Sequence, residues 1–221
     1  MDEPIAGLGS LGDLSRLVPR DLRRFLMVYG FALDEVRTKI EILRSEFTHL
    51  HDHNPIEHVG TRLKEPESIV AKARRQGHDL SYEAVRRGVR DIAGIRVTCS
   101  FESDVYTIFG AFSSQADVKV VEVKDYIRSP KPNGYRSLHA IVEVPVFLSG
   151  GVEQVYVEMQ FRTVAMDFWA TLEHKIHYKY DGQVPERLLT ELTDAAETAA
   201  HLDRRMERLH REVTALADRP A

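Results

Sequence analysis

The chain has 221 residues, 43% apolar and 29% charged, an ordinary globular mixture, and no window approaches ~18 consecutive apolar residues, so no membrane span is expected. Its net charge of −4 argues against a dedicated nucleic-acid binder, and a single cysteine, Cys99, excludes an internal disulfide framework and fits a reducing cytoplasm. The opening MDEPIAGLGSLGDL has neither a basic n-region nor an apolar h-region, so no secretory leader is expected.

In chain order, the first arm places apolar residues at Leu22, Leu26, Tyr29, Leu33, Val36, Ile40, Leu43, Phe47 and Leu50. Steps of four and three make this a heptad seam, the pattern of a long helix that pairs along one stripe. Asn54-Pro55 opposes its continuation. Short helices are then expected over Glu67–Arg75 and Tyr82–Gly88, and a longer one over 102–115. Four strands are expected, at 92–101, 118–126, 136–146 and 153–163, with Gly150-Gly151 turning a hairpin between the last two. A helix over 164–180 follows.

A second seam, Leu188, Leu192, Ala195, Ala199, Leu202, Met206, Leu209, Val213 and Leu216, marks a C-terminal arm after Pro185. The two arms can pack on each other within one chain or pair between chains, and the alanines favour close helix approach. The organisation is therefore a helical arm (1–57), an α/β centre (58–180) and a second helical arm (181–221). The fold class is α/β in the α+β sense, with a mixed, partly antiparallel sheet flanked by helices.

Charge is uneven along this plan. Between His58 and Arg90 stand eight Lys/Arg against four Asp/Glu, although the whole chain is acidic. One basic segment in an acidic chain points to a focused anionic ligand; a solvated mixed-charge helix is the plainer alternative. Within TRLKEPESIVAKARRQG, Arg62 and Lys64 precede the helix, while Ser68 and Lys72 share a helix face. There is no Gly-x-x-x-x-Gly-Lys-Ser/Thr loop and no Gly-x-Gly-x-x-Gly, so side chains must hold any nucleotide.

Two carboxylates stand out. In QVYVEMQFRT the two-residue period puts Val155, Val157, Met159 and Phe161 on one face, and Tyr156, Glu158, Gln160 and Arg162 on the other. Asp91 sits where the strand of IAGIRVTCSF begins. Mg²⁺ takes one or two carboxylates plus substrate phosphates, and Asp91 with Glu158 on adjacent strands can supply that pair. Strict alternation would turn Asp91 toward the core, so the pairing requires Asp91 to precede the regular strand or Gly94 to allow a bulge. The histidine clusters HDHNPIEH and EHKIH lack zinc-site spacing and are set aside, and Cys99 lies in phase with the apolar face. The stretch SPKPNGYRSLHAIVEV carries more than a turn needs: Asn133-Gly134 turns the chain, yet Lys131, Tyr135, Arg136 and His139 crowd around it.

The stretches TRLKEPESIVAKARR, RDIAGIRVTCSF, VKDYIRSPKPNGYRSLHAIVEV and VEMQFRTVAMDFWATLEHKIHYKY stand in the order of the RelA/SpoT synthetase domain. Over roughly residues 58–180 the chain resembles the stand-alone small alarmone synthetases, with no hydrolase domain and no C-terminal regulatory region in view. The resemblance implies a nucleotidyltransferase-like core that moves a pyrophosphoryl group from ATP to the 3′-hydroxyl of GDP, GTP or GMP, with Mg²⁺ as cofactor. It implies Arg62 stacking on adenine, and Lys64, Ser68 and Lys72 around the ATP phosphates. Asp91 would hold Mg²⁺, and Glu158 would complete the metal site or act as base. Tyr135 would stack on guanine, with Lys131, Asn133, Arg136, His139 and Gln160 on the acceptor and phosphate side. Asp167 stands where Asn is the more usual residue, and its carboxylate can still accept from guanine N1–H and the 2-amino group. The resemblance further implies a cytoplasmic homotetramer, with a regulatory nucleotide or RNA as a further partner. The alternatives are an inactive nucleotide- or RNA-binding module and a purely structural coiled-coil protein.

Overall fold

A computed structural model of the chain describes residues 19–179 and 184–217; the expectations for MDEPIAGLGSLGDL and for the boundary at 180–181 lie outside the described residues. Eleven elements follow in order: α1 (Pro19–Leu50), β1 (Ile56–Leu63), α2 (Pro66–Arg75), α3 (Tyr82–Gly88), β2 (Ala93–Cys99), α4 (Glu102–Ser113), β3 (Lys119–Asp125), β4 (Leu138–Leu148), β5 (Gly151–Thr163), α5 (Val164–Lys179) and α6 (Glu186–Ala217). The strands form one sheet in the order β1-β2-β5-β4-β3. Only β2 and β5 run parallel; the other three pairings are antiparallel. The expected mixed sheet with helical flanks is what the chain forms.

β1 is the strand that alternation did not reveal. Only Ile56 of its eight residues is buried, and a register shift interrupts its pairing with β2 between Ile56 and His58. An edge strand with a bulge and one wet face carries little apolar signal. The β4–β5 hairpin closes on Ser149-Gly150, because Leu148 already pairs with Gly151. Gly151, at φ 134°, takes a backbone conformation that a side chain would strain.

The arms are unlike each other. α1 lies across β1, β2, β4 and β5. Its buried set contains Tyr29, Leu33, Val36, Ile40 and Leu43 from the seam, together with Phe25, Val28 and Ala32 beside it. The added column widens a coiled-coil stripe into a face suited to a sheet. α6 packs on α5 and α4, and buries Ala196 and Ala200 rather than Ala195 and Ala199. Its seam residues Leu202, Met206, Leu209, Val213 and Leu216 remain exposed. α1 and α4 cover the apolar face of the sheet, leaving the face of Glu158 and Gln160 for the site.

Candidate functional site

The site grows from two rows of residues that cross the sheet. In one, Arg62, Gly94, Glu158, Ile141 and Glu122 are successive register partners from β1 to β3. In the next, Gly60, Arg96, Gln160, His139 and Lys124 line up likewise. Side chains in such rows project to one face, so register alone gathers Arg62, Glu158, Arg96, Gln160, His139 and Lys124.

Asp91 joins them from a turn. β2 begins at Ala93, so Asp91 precedes the regular strand, as the carboxylate pairing required. Its Oδ2 accepts from Lys64 Nζ at 2.6 Å and Lys72 Nζ at 2.5 Å. Burial pushes this carboxyl up, but the two lysines outweigh it and hold it below the ordinary carboxylate range. Its Oδ1 is buried without a hydrogen-bond partner. Such an oxygen loses its hydration with nothing in exchange, which is costly unless a cation or donor meets it. Glu158 is also pushed up by burial and by the charge on Asp91, yet His139 and Gln160 draw it below its ordinary value.

Both carboxylates line two cavities, one on either side. The first, about 440 Å³, is bounded by Lys72, Arg90, Lys124, Tyr126, Lys131 and His139. The second, about 510 Å³, is bounded by Arg62, Lys64, Arg96, Gln160 and Asp167. Two cation-lined cavities thus share one pair of acids. Among the described residues no cluster of three or more His, Cys, Asp and Glu forms a self-contained metal cage. The unpaired Oδ1 of Asp91 beside Glu158 does suit Mg²⁺, which completes its shell with substrate phosphates.

The overloaded turn is anchored on several sides. Gly134 N–H donates to Lys131 C=O at 2.8 Å, and Asn133 Oδ1 accepts from Tyr135 N–H at 3.2 Å. Gly134 has φ 85°, and a Cβ there would come within 2.5 Å of Ala196 Cβ on α6. The turn therefore needs glycine both for its backbone conformation and for its contact with α6. The ring of Tyr135 lies under Lys131 Nζ at 4.6 Å and Arg162 Cζ at 5.2 Å.

Several expected site residues stand apart. Asn133 Nδ2 donates to Glu173 at 3.1 Å, so it braces the turn against α5. Ser68 is exposed on α2 and belongs to neither central cavity lining. Arg136 turns away, donating to Ile127 C=O at 3.1 Å and lining a separate groove with Asp194, Glu197, Thr198, His201 and Arg204 of α6. Asp167 faces the cavity of Arg62, where Arg162 Nη1 at 3.0 Å and Arg96 Nη1 at 3.1 Å pair with it. Sequence reasoning had not singled out Arg90, Arg96, Lys124, Tyr126 or Arg162 as site residues. Alternation puts Arg162 on the polar face of its strand; strand register, which pairs Arg96 with Gln160, was the missing signal.

A model of the region found in RelA/SpoT proteins matches residues 61–183. The chain is 48% identical to the GTP pyrophosphokinase YwaC of Bacillus subtilis over 198 residues, which are 90% of this chain and 94% of that one. The crystal structure of small alarmone synthetase 2 from Bacillus subtilis superimposes with a TM-score of 0.80 at 48% identity, covering 87% of this chain and 99% of that one. Small alarmone synthetase 1 from the same organism, bound to its product pppGpp, gives a TM-score of 0.81 at 38% identity, covering 88% and 98%.

Proposed function

The chain belongs to the RelA/SpoT family, and we propose that it acts as a GTP pyrophosphokinase of the small alarmone synthetase kind. It transfers the β,γ-pyrophosphoryl group of ATP to the 3′-oxygen of GDP or GTP, releasing AMP. The observation that carries this reading is the pair of cation-lined cavities meeting at Asp91 and Glu158. Two anionic nucleotides need two such cavities, and the transferred group must lie where they join.

In this reading Arg62 and Arg96 hold the adenine, since planar guanidinium groups stack on a base. Lys64 and Lys72 exchange their grip on Asp91 for the ATP phosphates, with Ser68 one helical turn before Lys72. Lys131, Tyr135 and His139 receive the guanine nucleotide. Gln160 and Asp167 line the cavity of Arg62, and Asp167 accepts from a guanine that reaches past Glu158 once Arg96 releases it. Asn133 and Arg136 serve the acceptor side by holding the turn. Mg²⁺, held by Asp91 and Glu158, would neutralise phosphate charge.

Glu158, kept ionised by His139 and Gln160, receives the proton of the 3′-hydroxyl. The 3′-oxygen forms its bond to the β-phosphorus as the bond from that phosphorus to the α–β bridging oxygen breaks. That bridging oxygen leaves with AMP. Positioning and charge neutralisation provide most of the catalysis in such transfers.

The exposed seam Leu202, Met206, Leu209, Val213 and Leu216 supports self-association, with a homotetramer as the proposed state. A cytoplasmic setting and a regulatory nucleotide or RNA complete the proposal. The pure protein with ATP, Mg²⁺ and GDP or GTP should yield AMP and a 3′-pyrophosphorylated product in equimolar amounts, with GMP assayed in parallel as a third acceptor. Nucleotide binding without AMP formation for all three acceptors would overturn the reading in favour of an inactive binding module.

A further inference from the structure

We propose that Arg162 is a positioning residue whose contacts orient both groups facing the two oxygens of Glu158. The inference deepens the reading above, in which Glu158 takes the 3′-hydroxyl proton. Arg162 is 5% exposed, on the polar side of β5, and is not itself a lining residue of either central cavity. A buried guanidinium is costly unless its donors are used. Nη1 donates to Asp167 at 3.0 Å, and Nη2 donates to Tyr135 Oη at 2.7 Å and Gln160 Oε1 at 3.0 Å.

Arginine only donates, and that fact propagates outward. Gln160 Oε1 accepts from Arg162, so its amide nitrogen must point the other way. Gln160 Nε2 indeed reaches Glu158 Oε2 at 3.0 Å. The Tyr135 oxygen also accepts from Arg162, which leaves its single proton for its other close partner. That partner is His139 Nε2 at 2.7 Å. Nε2 then accepts, and neutral His139 carries its proton on Nδ1. Nδ1 lies 3.6 Å from Glu158 Oε1, a separation of the kind that tightens when substrate closes a site.

Two polar chains thus start at one buried arginine and end on the two oxygens of Glu158. Tyr135 has separable parts in this scheme. Its ring meets the base, while its hydroxyl carries the tautomer instruction to His139.

The test uses the full-length protein with ¹⁵N-labelled histidine, the His139 signals being assigned by their loss in His139→Gln. At pH 8 without nucleotide, wild-type His139 should show Nδ1 protonated and Nε2 unprotonated. Tyr135→Phe keeps the ring and should move the proton toward Nε2; Arg162→Lys should do so in part. Wild-type His139 protonated on Nε2, or an unchanged Nδ1–H tautomer in Tyr135→Phe, would overturn the proposal. Kinetically, Tyr135→Phe should lower kcat about tenfold, a fraction of what positioned proton transfer contributes, while KM for the guanine acceptor stays within about twofold. A raised acceptor KM with unchanged kcat would assign the hydroxyl to binding and overturn the proposal. The tautomer measurement involves no turnover, so an inactive protein with the Nδ1–H tautomer defeats the proposed function alone. An active protein with the other tautomer defeats this inference alone.

Discussion

Met159 and Glu158 are neighbours in the chain and occupy opposite sides of one sheet. Val155, Val157, Met159 and Phe161 point into the core beneath α1 and α4, each no more than 2% exposed. Tyr156, Glu158 and Gln160 alternate with them on the side of the cavities, and Arg162 continues that row under cover. The dry face contributes hydrophobic burial and close packing, whereas the polar face accepts desolvation in exchange for oriented charge. A single strand thereby keeps stability and chemistry in registers one residue apart.

The sharpest way to break that comparison is Glu158→Gln. It should lower kcat by about a thousandfold, within the range for a lost general base, while thermal stability changes by no more than about 0.5 kcal/mol. A large fall in melting temperature with modest loss of turnover would show that the polar face carries the fold. Met159→Ala is the converse. Removing a fully buried side chain should cost about 3 kcal/mol in denaturant melts, with turnover per folded molecule largely retained. Activity falling ahead of unfolding would join the two faces.

Tyr135→Ala is smaller in energy but more selective. Loss of a base-stacking ring should weaken binding of the guanine acceptor by about 1–3 kcal/mol, read as a KM raised by about five- to 150-fold, with little change in KM for ATP. Equal losses for both substrates would mean that the turn is a brace and nothing more.

The smallest effect is at the end of β5, where Thr163, on the buried face, donates its hydroxyl proton to Asp203 of α6. Burial lifts Asp203 from 3.8 to about 6, against the Thr163 hydrogen bond and with Glu102 and Glu207 adding repulsion. The folded state therefore binds this proton more tightly than the unfolded chain does. Its contribution is complete below about pH 4 and is lost as the pH rises through about 6. Melts should show the protein about 1 kcal/mol more stable at pH 5 than at pH 7, allowing for solvent screening, with Asp203→Asn removing the difference. Asp91 and Glu158 act with the opposite sign, since their carboxyls are depressed and lose their contribution on acidification below the ordinary range.

Much of this plan was legible in the residues. The alternation in QVYVEMQFRT assigned each side chain of β5 to its face, and α3 follows the expected limits Tyr82–Gly88. These are local properties, set by backbone period and by turn residues such as Ser81, whose hydroxyl caps α3. β1 was not legible, because an edge strand satisfies its backbone through a partner far along the chain and needs little apolar patterning. The two heptad seams read alike, yet one meets a sheet and the other two helices. Periodicity records that a face is apolar and carries no mark of what covers it.

By itself, the amino-acid sequence determined the mixed sheet with its helical flanks, the apolar and polar faces of β5, and the family to which its ordered stretches belong. Tertiary structure alone decided that Asp91 and Glu158 line the same two cavities, that Arg136 turns toward α6, and that Asp167 is shared by Arg96 and Arg162. It also decided that Arg162, unremarkable in the chain, stands behind Tyr135, Gln160 and His139. The reason is physical. Strand period and helix capping act over a few residues, whereas the partner of a charge is set by the register of strands that meet only after the chain has closed.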